Sequence, residues 1–452
     1  MITEFCHATA ISPIDGRYFQ KVGDLSRYFS DFALVKTRLK VEIEYFIRLW
    51  HAIGHGEQAL SAADTASLRK YHDGFSLEDY EEIQAIERET RHDVKAVEIF
   101  LKRRISTLLG SRAAELVHFG LTSQDINDVA IPFLLRLSLA DILVPELETL
   151  AASIEGLSET LRFVTFIART HGQPASPSTF GKEFRVFAHR LRGELDVLKA
   201  IPHYGKFGGA TGNLNAHILV YPDVDWVTFG AEFLHDEFGL VRSALTTQIN
   251  NHEGLARIFD CLSRIAAILQ DLSQDVWLYL SLGLLTLRSE KNEVGSSAMP
   301  HKVNPISFEN AEGNLQMASA IFSFLSRKLL VSRLQRDLTD YTLKRNIGVP
   351  MAHLLLSVKN IGEGLSRSIA HEANIASDLE RHFVVVAEGI QTILRSEGIP
   401  QSYDLVKNLV RGTSIGRAEL VHWIEGLTVS EDIKRKLAEL SPETYIGNAK
   451  CF

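Results

Sequence analysis

The stretch "IFDCLSRIAAILQDLSQDVWLY", residues 258–279, carries a long helical pattern. Its apolar residues recur in alternating steps of four and three, which is the spacing of one face of an α-helix; they are Ile258, Leu262, Ile265, Leu269, Leu272, Val276 and Tyr279. Phe259, Ala266 and Trp277 lie off that face. The pattern therefore predicts a long helix that is covered on more than one side, as in the middle of a helical bundle.

Helical periodicity extends over most of the chain, whereas the alternation that indicates strands is weak throughout. Long helical patterns run through 129–162, 178–201, 308–330 and 340–370. Shorter amphipathic helices are expected before Gly110, a candidate helix stop, and after about residue 371. We therefore predict an all-α chain with three domains, an N-terminal helical domain (1–110), a central long-helix bundle (111–370) and a C-terminal helical domain (371–452).

The overall composition argues against several classes of protein. The 452 residues carry a net charge of −8, so the basic face expected of a chain that wraps nucleic acid is not indicated. Clusters of arginine on an acidic protein can still bind small anions. Neither a signal peptide nor an apolar run of membrane-spanning length is visible. The 3 cysteines lack CxxC spacing, which favours a reducing compartment, so we expect a cytoplasmic protein without a membrane partner.

Motifs of several familiar enzyme classes are missing from the sequence. We find no GxxxxGK[ST] phosphate loop, no GxGxxG after a strand, no HExxH and no GxSxG. The 17 histidines do not form a ligand set with clear metal spacing. We therefore predict a protein that uses neither a metal nor a cofactor.

Polar residues concentrate in irregular segments, and each has a structural interpretation beside a functional one. These segments are "DGRY" (15–18), "TRHDV" (90–94), "HFGLTSQDIND" (118–128), "RTHGQPASPS" (169–178), "GGATGNLNAH" (208–217), "TTQ" (246–248) and "SRLQRDLTDYTLKRN" (332–346). Thr122, Ser123 and Asp125 could simply cap a helix. His92 and His118 could be structural histidines, and the arginines of 332–346 could form a solvated helix face.

Two further features indicate chemistry more strongly. His171 lies in an irregular, proline-bounded segment that we expect at a helix start, where an imidazole can be fixed as a general acid or base. The loop "EVGSSAMPHKVNP", residues 293–305, is framed by glycine and proline and carries more reactive side chains than a connector needs. The residues alone leave open whether one of its serines is a chemical group.

Taken together, these segments resemble the aspartase/fumarase superfamily and, within it, the adenylosuccinate lyase family. The loop matches the superfamily signature GSSxMPxKxNP at every fixed position: Gly295, Ser296, Ser297, Met299, Pro300, Lys302, Asn304 and Pro305. "SPIDGRY", "TRHDVKAVE", "THGQPASPSTFGKE", His301 and "LQRDLTDYTLKRN" favour the adenylosuccinate lyases over other members. The resemblance covers residues from about 10 to 447, nearly the whole chain.

The resemblance implies an architecture and a reaction. Members of the family have three mainly helical domains and form homotetramers in which segments of three subunits build each active site. The implied reaction is a β-elimination that releases fumarate from succinyl-nucleotides: adenylosuccinate, giving AMP, and succinyl-aminoimidazole carboxamide ribotide. Another fumarate-releasing lyase, such as argininosuccinate lyase, and a non-catalytic crystallin-like protein of the same fold are the alternatives.

The resemblance also assigns roles to residues. Ser296 is the implied base, with Ser297 as its competitor, and His171 is the implied acid. The implied substrate-binding residues are Arg17, Tyr18, Arg91, His92, Asp93, Thr122, Ser123, Gln248, Lys302, Asn304, Asn310, Arg336, Tyr341 and Arg345. One position departs from the pattern, because the family commonly has a small hydroxyl residue after "DLTD", whereas Tyr341 follows it here.

Overall fold

The structure is a computed structural model that describes residues 6–54, 60–288, 299, 302–410 and 416–452. Helices dominate the described residues, as the periodicity predicts. In the first half of the chain they are α1 (Phe19–Val22), α2 (Ser26–Phe29), α3 (Asp31–Ala52), α4 (Ala62–Asp73), α5 (Leu77–Thr90), α6 (Asp93–Leu109), α7 (Ser111–Ala114), α8 (Ser123–Ser138), α9 (Val144–Thr160), α10 (Phe180–Ala200), α11 (Asn215–Val220) and α12 (Trp226–Phe238). A π-helical stretch, Leu139–Leu143, joins α8 to α9.

The second half continues in the same way. Its helices are α13 (Glu253–Ser281), α14 (Ile306–Lys328), α15 (Thr339–Lys344), α16 (Gly348–Arg367), α17 (Glu372–Arg381), α18 (Ala387–Ser396), α19 (Ser402–Val410), α20 (Arg417–Glu425) and α21 (Glu431–Ala438). Short 3-10 turns lie at His7–Thr9, Gly23–Leu25 and Phe383–Val386.

The strands are short and pair two by two. β1 (Thr165–Thr170) and β2 (Gln173–Thr179) are antiparallel, β3 (Tyr204–Gly205) and β4 (Val241–Arg242) are parallel, and β5 (Leu285–Leu287) and β6 (Ser368–Ala370) are antiparallel. These pairs do not change the class of the fold, which is all-α as predicted.

The helix predicted from the opening stretch is present as α13. Every residue of its predicted face from Ile258 to Val276 is buried, and Phe259 and Ala266 off that face are buried as well. Trp277 is 40% exposed. The prediction of a helix covered on more than one side is therefore confirmed for most of its length.

The described chain forms two compact units, each assembled from three separate stretches of sequence. The first comprises 1–147, 194–267 and 314–356, and the second comprises 148–193, 268–313 and 357–452. Because these units group residues by contact and not along the chain, the three domains expected from the sequence stay a prediction. The second unit contains an apolar cluster around Ile390, Leu394 and Leu437, which packs α18 to α21 together.

The segment around His171 is the clearest error of the sequence prediction. It is not an irregular helix start but the β1–β2 hairpin, in which Thr170 pairs with Gln173. His171 and Gly172 form its two-residue turn, with φ of +54° and +72°. Two positive φ angles are the signature of a type I′ turn, whose twist matches that of the flanking strands. Pro174 and Pro177 hid the strand signal, although prolines are tolerated in a sheet edge.

The pattern at 340–370 is also interrupted, because α15 ends at Lys344 and α16 begins at Gly348. Pro350 explains the break, since proline has no N–H to donate and fits only in the first turn of a helix. Gly110 ends α6 with φ of +92°, as expected of the helix stop.

Candidate active site

The "TRHDV" segment forms the junction between α5 and α6 in the first unit. Arg91 ends α5 in the left-handed region, with φ of +55°, and His92 caps α6 by accepting a hydrogen bond from Lys95 N at 3.2 Å. Arg104 of α6 reaches back to Glu82 of α5 at 2.7 Å, so the two helices run antiparallel. The sharp reversal leaves Arg91 and His92 exposed at the tip of a helical hairpin.

Asp93 lies at the centre of a charged cluster. Its carboxylate accepts hydrogen bonds from Arg38 Nη2 at 2.9 Å, from Arg345 Nη2 at 3.1 Å and from the Tyr341 hydroxyl. Val94 N donates a further bond at 2.8 Å. Burial alone would raise the pKa of Asp93, but the Arg38 guanidinium and the Tyr341 hydroxyl lower it to about 2. Asp93 is therefore a fixed anion at neutral pH.

Thr122 is the N-cap of α8 and Ser123 is its first residue, and the capping interpretation is correct for Thr122 and Asp125. Thr122 N donates to Asp125 Oδ2 at 2.8 Å, as in a capping box. Asp125 also accepts bonds from Gly208 N at 2.8 Å and from the buried Lys206 ammonium at 2.8 Å. The "GGATGN" loop is thus attached to the start of α8.

Ser123 is directed toward the α5–α6 junction. Its hydroxyl lies 3.5 Å from His92 Nε2. The structure therefore brings Ser123 together with the Arg91–Asp93 segment, as expected of residues that share a site.

Gln248 and Arg336 form a second pair in the same unit. Gln248 Oε1 lies 3.5 Å from Arg336 Nη1, a long hydrogen bond. Arg336 Nε is buried and has no hydrogen-bond partner among the described residues. A buried guanidinium donor without a partner is costly unless a ligand or water satisfies it. This pair is therefore suited to bind an anion.

Arg17 and Tyr18 lie in the turn before α1. Tyr18 N donates to Pro13 O at 2.9 Å, which closes the "SPIDGRY" turn. Arg17 is exposed, with its guanidinium 6.0 Å from the centre of the Tyr18 ring. Ser12 and Asp15 of this turn line a cavity of about 290 Å³ together with Arg345, so the turn borders the charged cluster.

The remaining predicted residues lie in the second unit. His171 is exposed at the hairpin turn. Arg169 of the same hairpin donates two bonds of 2.9 Å to Asp378, which fixes β1 to α17. Lys302 is exposed, and its backbone N donates to Met299 O at 3.1 Å. Asn304 follows in the same loop, and Asn310 on α14 accepts a bond from Asn360 at 2.6 Å.

The two serines considered as the base cannot be placed in this geometry. Ser296 and Ser297, with most of the signature loop, lie outside the described residues. Their roles remain predictions from the sequence.

A buried charge network supports the first unit. Lys344 donates to Asp128 Oδ1 at 2.6 Å and lies 2.7 Å from Asp340 Oδ2, and all three side chains are buried. Asp128 also accepts a bond from Asn250 N at 2.9 Å. The network thereby connects α8, α15 and the loop that contains Gln248.

The same network includes the one metal-type cluster found among the described residues. Asp128, His252 and Asp340 each place a ligand-type atom within 4.8 Å of the others. The Lys344 ammonium already bonds both carboxylates, and the two charges raise the pKa of Lys344 against the effect of burial. A lysine cation therefore supplies the positive charge that a metal ion would provide.

Arg38 and Lys344 are the important side chains that sequence reasoning missed. Arg38 is 1% exposed and donates to Asn127 Oδ1 at 2.9 Å in addition to Asp93. A signal was present, because Arg38 and Glu42 interrupt the apolar face of α3 at the i, i+4 spacing. Glu42 is likewise buried and bonds His118 Nδ1 at 2.6 Å, so His118 has a structural partner. Charged residues on a buried helix face require partners, which the sequence does not identify.

Comparison with known proteins relates this site to a family of lyases. A family model described as a lyase matches residues 16–321, and one described as the C-terminal part of adenylosuccinate lyase matches residues 332–446. An adenylosuccinate lyase from Dictyostelium discoideum is 46% identical over 453 residues, covering 97% of this chain and 96% of the relative. One from Escherichia coli (strain K12) is 40% identical over 448 residues, covering 99% of this chain and 98% of the relative.

Solved structures give the same fold at lower identity. A fumarate lyase from Mesorhizobium sp. BNC1 has a TM-score of 0.76 at 19% identity, covering 95% of this chain and 96% of its own. A 3-carboxy-cis,cis-muconate lactonizing enzyme from Pseudomonas putida has a TM-score of 0.76 at 21% identity, covering 96% of this chain and 97% of its own. These likenesses show the aspartase/fumarase type of fold, and the full-length sequence matches are more specific. The chain belongs to the adenylosuccinate lyase family.

Proposed function

We propose that this chain is an adenylosuccinate lyase, a C–N lyase of purine biosynthesis. It cleaves adenylosuccinate to AMP and fumarate, and it releases fumarate from succinyl-aminoimidazole carboxamide ribotide. The observation that carries the proposal is the 46% identity to an adenylosuccinate lyase over 97% of this chain. The anion-binding side chains around Asp93 and Arg336 support it, since both substrates are anionic nucleotides.

The reaction requires a base, an acid and a site for negative charge. A base removes a proton from the carbon next to a carboxylate, the C–N bond breaks, and an acid protonates the leaving nitrogen. We assign Ser296 as the base and His171 as the acid. An exposed imidazole on a two-residue turn is suited to the second role, because it is open to a substrate and the paired strands hold its backbone.

A serine base must be ionised to be effective, so its alkoxide needs stabilisation. Lys302 is the proposed source, because it lies six positions after Ser296 and is exposed. Ser297 is the competing assignment for the base.

The substrate anions are divided between two groups of residues. We assign Arg17, Tyr18, Arg91, His92 and Asp93 to the nucleotide side, and Thr122, Ser123, Lys302 and Asn304 to the succinyl carboxylates. Gln248, Asn310, Arg336 and Arg345 complete the binding set. Arg336 Nε lacks a hydrogen-bond partner within the described part of the chain, which supports the place of Arg336 in this set.

The active enzyme is proposed to be a homotetramer with sites shared by three subunits. The exposed side chains of Met317 and Phe324 on α14, and of Val331 just after it, support an apolar interface in the first unit. Large apolar groups aligned on one helix are expected to be covered by a partner. A second copy of this chain is the proposed partner.

The proposed setting is the cytoplasm. Cys6, Cys261 and Cys451 are all free thiols, as expected in a reducing compartment. Within the described ranges, no helix is both long and apolar enough to cross a membrane.

The decisive experiment is a fumarate-release assay on the purified chain with a panel of succinyl compounds. We expect turnover of adenylosuccinate and of the imidazole ribotide, and none of argininosuccinate. If the chain cleaves argininosuccinate and neither nucleotide substrate, it is another fumarate-releasing lyase and the proposal is wrong. A chain that neither cleaves nor binds any succinyl-nucleotide would indicate a structural protein of the same fold.

A further inference from the structure

Tyr341 follows "DLTD", where the resemblance implies a small hydroxyl residue, and its phenol is fully engaged by the protein. The hydroxyl donates to the Asp93 carboxylate and accepts from Arg38 Nη2 and from Arg345 Nη2, the last two each at 2.5 Å. A phenol has one proton to donate and can accept through its oxygen lone pairs. Three partners exhaust this capacity, so the hydroxyl has none left for a ligand.

The ring of Tyr341 is held by the same two arginines. The Arg345 guanidinium lies 4.7 Å from the ring centre and the Arg38 guanidinium lies 5.8 Å from it. Both distances are within the range of a cation–π contact. The side chain therefore fixes two guanidinium groups through its oxygen and its ring at once.

The two arginines differ in what else they can contact. The Arg38 side chain is 1% exposed and already bonds Asn127 and Asp93. The Arg345 side chain is 42% exposed and lines two cavities, of about 190 and 290 Å³. Arg345 is thus the member of the cluster that faces open space.

Arg345 also lies beside two carboxylates that could neutralise it. Asp93 is 3.1 Å away and Asp31 is 3.6 Å away. The Tyr341 hydroxyl offers Arg345 a neutral hydrogen-bond acceptor. It also donates a hydrogen bond to Asp93, which weakens the ion pair between Asp93 and the Arg345 guanidinium. Burial raises the pKa of Tyr341, so the phenol stays uncharged at neutral pH.

We propose that Tyr341 is a positioning residue, which orients Arg345 so that its guanidinium receives an anionic group of the nucleotide without Tyr341 contacting the substrate. This inference rests on the proposed function, since it requires an anionic nucleotide ligand. It predicts that Tyr341 affects the affinity for the nucleotide only when Arg345 is present.

A double-mutant cycle on the full-length enzyme tests this dependence, with AMP affinity measured by calorimetry and KM and kcat measured for adenylosuccinate. Loss of one hydrogen bond to a charged group costs about tenfold in affinity, so Tyr341→Phe should weaken AMP binding and raise KM by about that factor. Its kcat should change by less than about twofold, because uniform binding energy appears in KM. Arg345→Ala should weaken binding about 100-fold, and the double variant should bind no worse than Arg345→Ala alone.

The matched control is Tyr279→Phe, which removes another phenol–carboxylate bond, the 2.9 Å contact with Glu183. This variant should bind AMP with unchanged affinity. If the losses of Tyr341→Phe and Arg345→Ala multiply in the double variant, Tyr341 contacts the ligand itself and the inference is wrong. Unchanged AMP affinity in Tyr341→Phe would equally overturn it. A wild-type chain that cleaves no adenylosuccinate and binds no AMP would remove the proposed function and, with it, this inference.

Discussion

His171 is the proposed general acid, so its loss should affect the chemical step directly. A general acid contributes about 10²–10⁴-fold to a rate, and the side chain is exposed at a turn, so its removal leaves the core intact. We therefore expect His171→Ala to lower kcat by about 10³-fold, with an unchanged urea midpoint. His422→Ala is the control, because that side chain is 91% exposed on α20. Normal turnover by His171→Ala would exclude the acid role.

The adjacent serines provide a matched comparison for the base. Ser296→Ala should reduce kcat by several orders of magnitude, because the proton on carbon then has no acceptor. Ser297→Ala, which removes the same hydroxyl one position further on, should keep most of the activity. The reverse result, in steady-state fumarate release, would assign the base to Ser297.

The lowered pKa of Asp93 predicts how the stability of the fold depends on pH. Its folded-state pKa of about 2 is below the ordinary value, so the charged carboxylate stabilises the fold at pH values above the ordinary pKa. This contribution is lost as the pH falls from about 4 toward 2. Asp93→Asn should destabilise the protein by about 3–5 kcal/mol at pH 7, because Arg38 is left buried without its carboxylate.

The measurement for Asp93 is the urea midpoint of wild type and Asp93→Asn as a function of pH. The difference between them should be constant from pH 7 to about 5 and should shrink at lower pH. Asp24→Asn is the control, since Asp24 is 73% exposed and should show no difference. If the difference in urea midpoint between wild type and Asp93→Asn does not change with pH, the pKa of Asp93 is not lowered in the folded protein.

The β1–β2 hairpin is the element on which the placement of His171 depends. Gly172 has φ of +72°, and a Cβ there would contact nothing within 4 Å, so its substitution tests backbone conformation alone. We expect Gly172→Val to cost about 1–2 kcal/mol in folding stability and to lower kcat more than that loss explains. Thermal unfolding and steady-state assays measure the two effects.

Gly193 on α10 is the control for the hairpin prediction. A Cβ at this position would also meet open space, but the backbone is ordinary helix, so Gly193→Ala should be neutral or slightly stabilising. Full activity of Gly172→Val would show that the turn geometry does not determine the function of His171.

The long helices could be predicted from the sequence, whereas the elements that hold the site together could not. The 3.6-residue period is local, so α13 is visible in its own residues. The hairpin escaped detection because β2 contains two prolines and no large apolar side chain. Arg38 is 55 positions from Asp93, and Lys344 is 216 positions from Asp128, so only the folded chain reveals these pairs.

For the assembled enzyme, the predicted shared sites make complementation between inactive variants the critical test. A mixture of inactive His171→Ala and Ser296→Ala chains should regain activity after subunit exchange, because some sites then receive both intact residues from different subunits. Light scattering should give a mass of four times the 50.5 kDa chain. No recovery after verified exchange would contradict sites built from several subunits.

The sequence predicts which segments of the chain form the candidate site, but it does not predict which of their side chains contact one another. Ser123, His92 and Asp93 are expected together and do lie together in the first unit, with Tyr341 and Arg345 beside them. Tyr341 is longer than the small hydroxyl residue that the resemblance implies, and its length lets it reach Asp93 across 248 positions of sequence. Neither the composition of the sequence nor the spacing of its residues predicts a contact between side chains so far apart along the chain.

The two-residue link between α5 and α6 has a consequence for how this protein tolerates insertions and deletions. Arg91 is left-handed and His92 is extended, so the link contains no spare residue that could absorb a change in length. Because Arg91 and His92 are the entire link, one extra or missing residue in it would redirect Asp93 away from Arg38. Chain length at this junction is therefore constrained as tightly as residue identity, and a library of single-codon insertions should show its sharpest loss of function between Thr90 and Asp93.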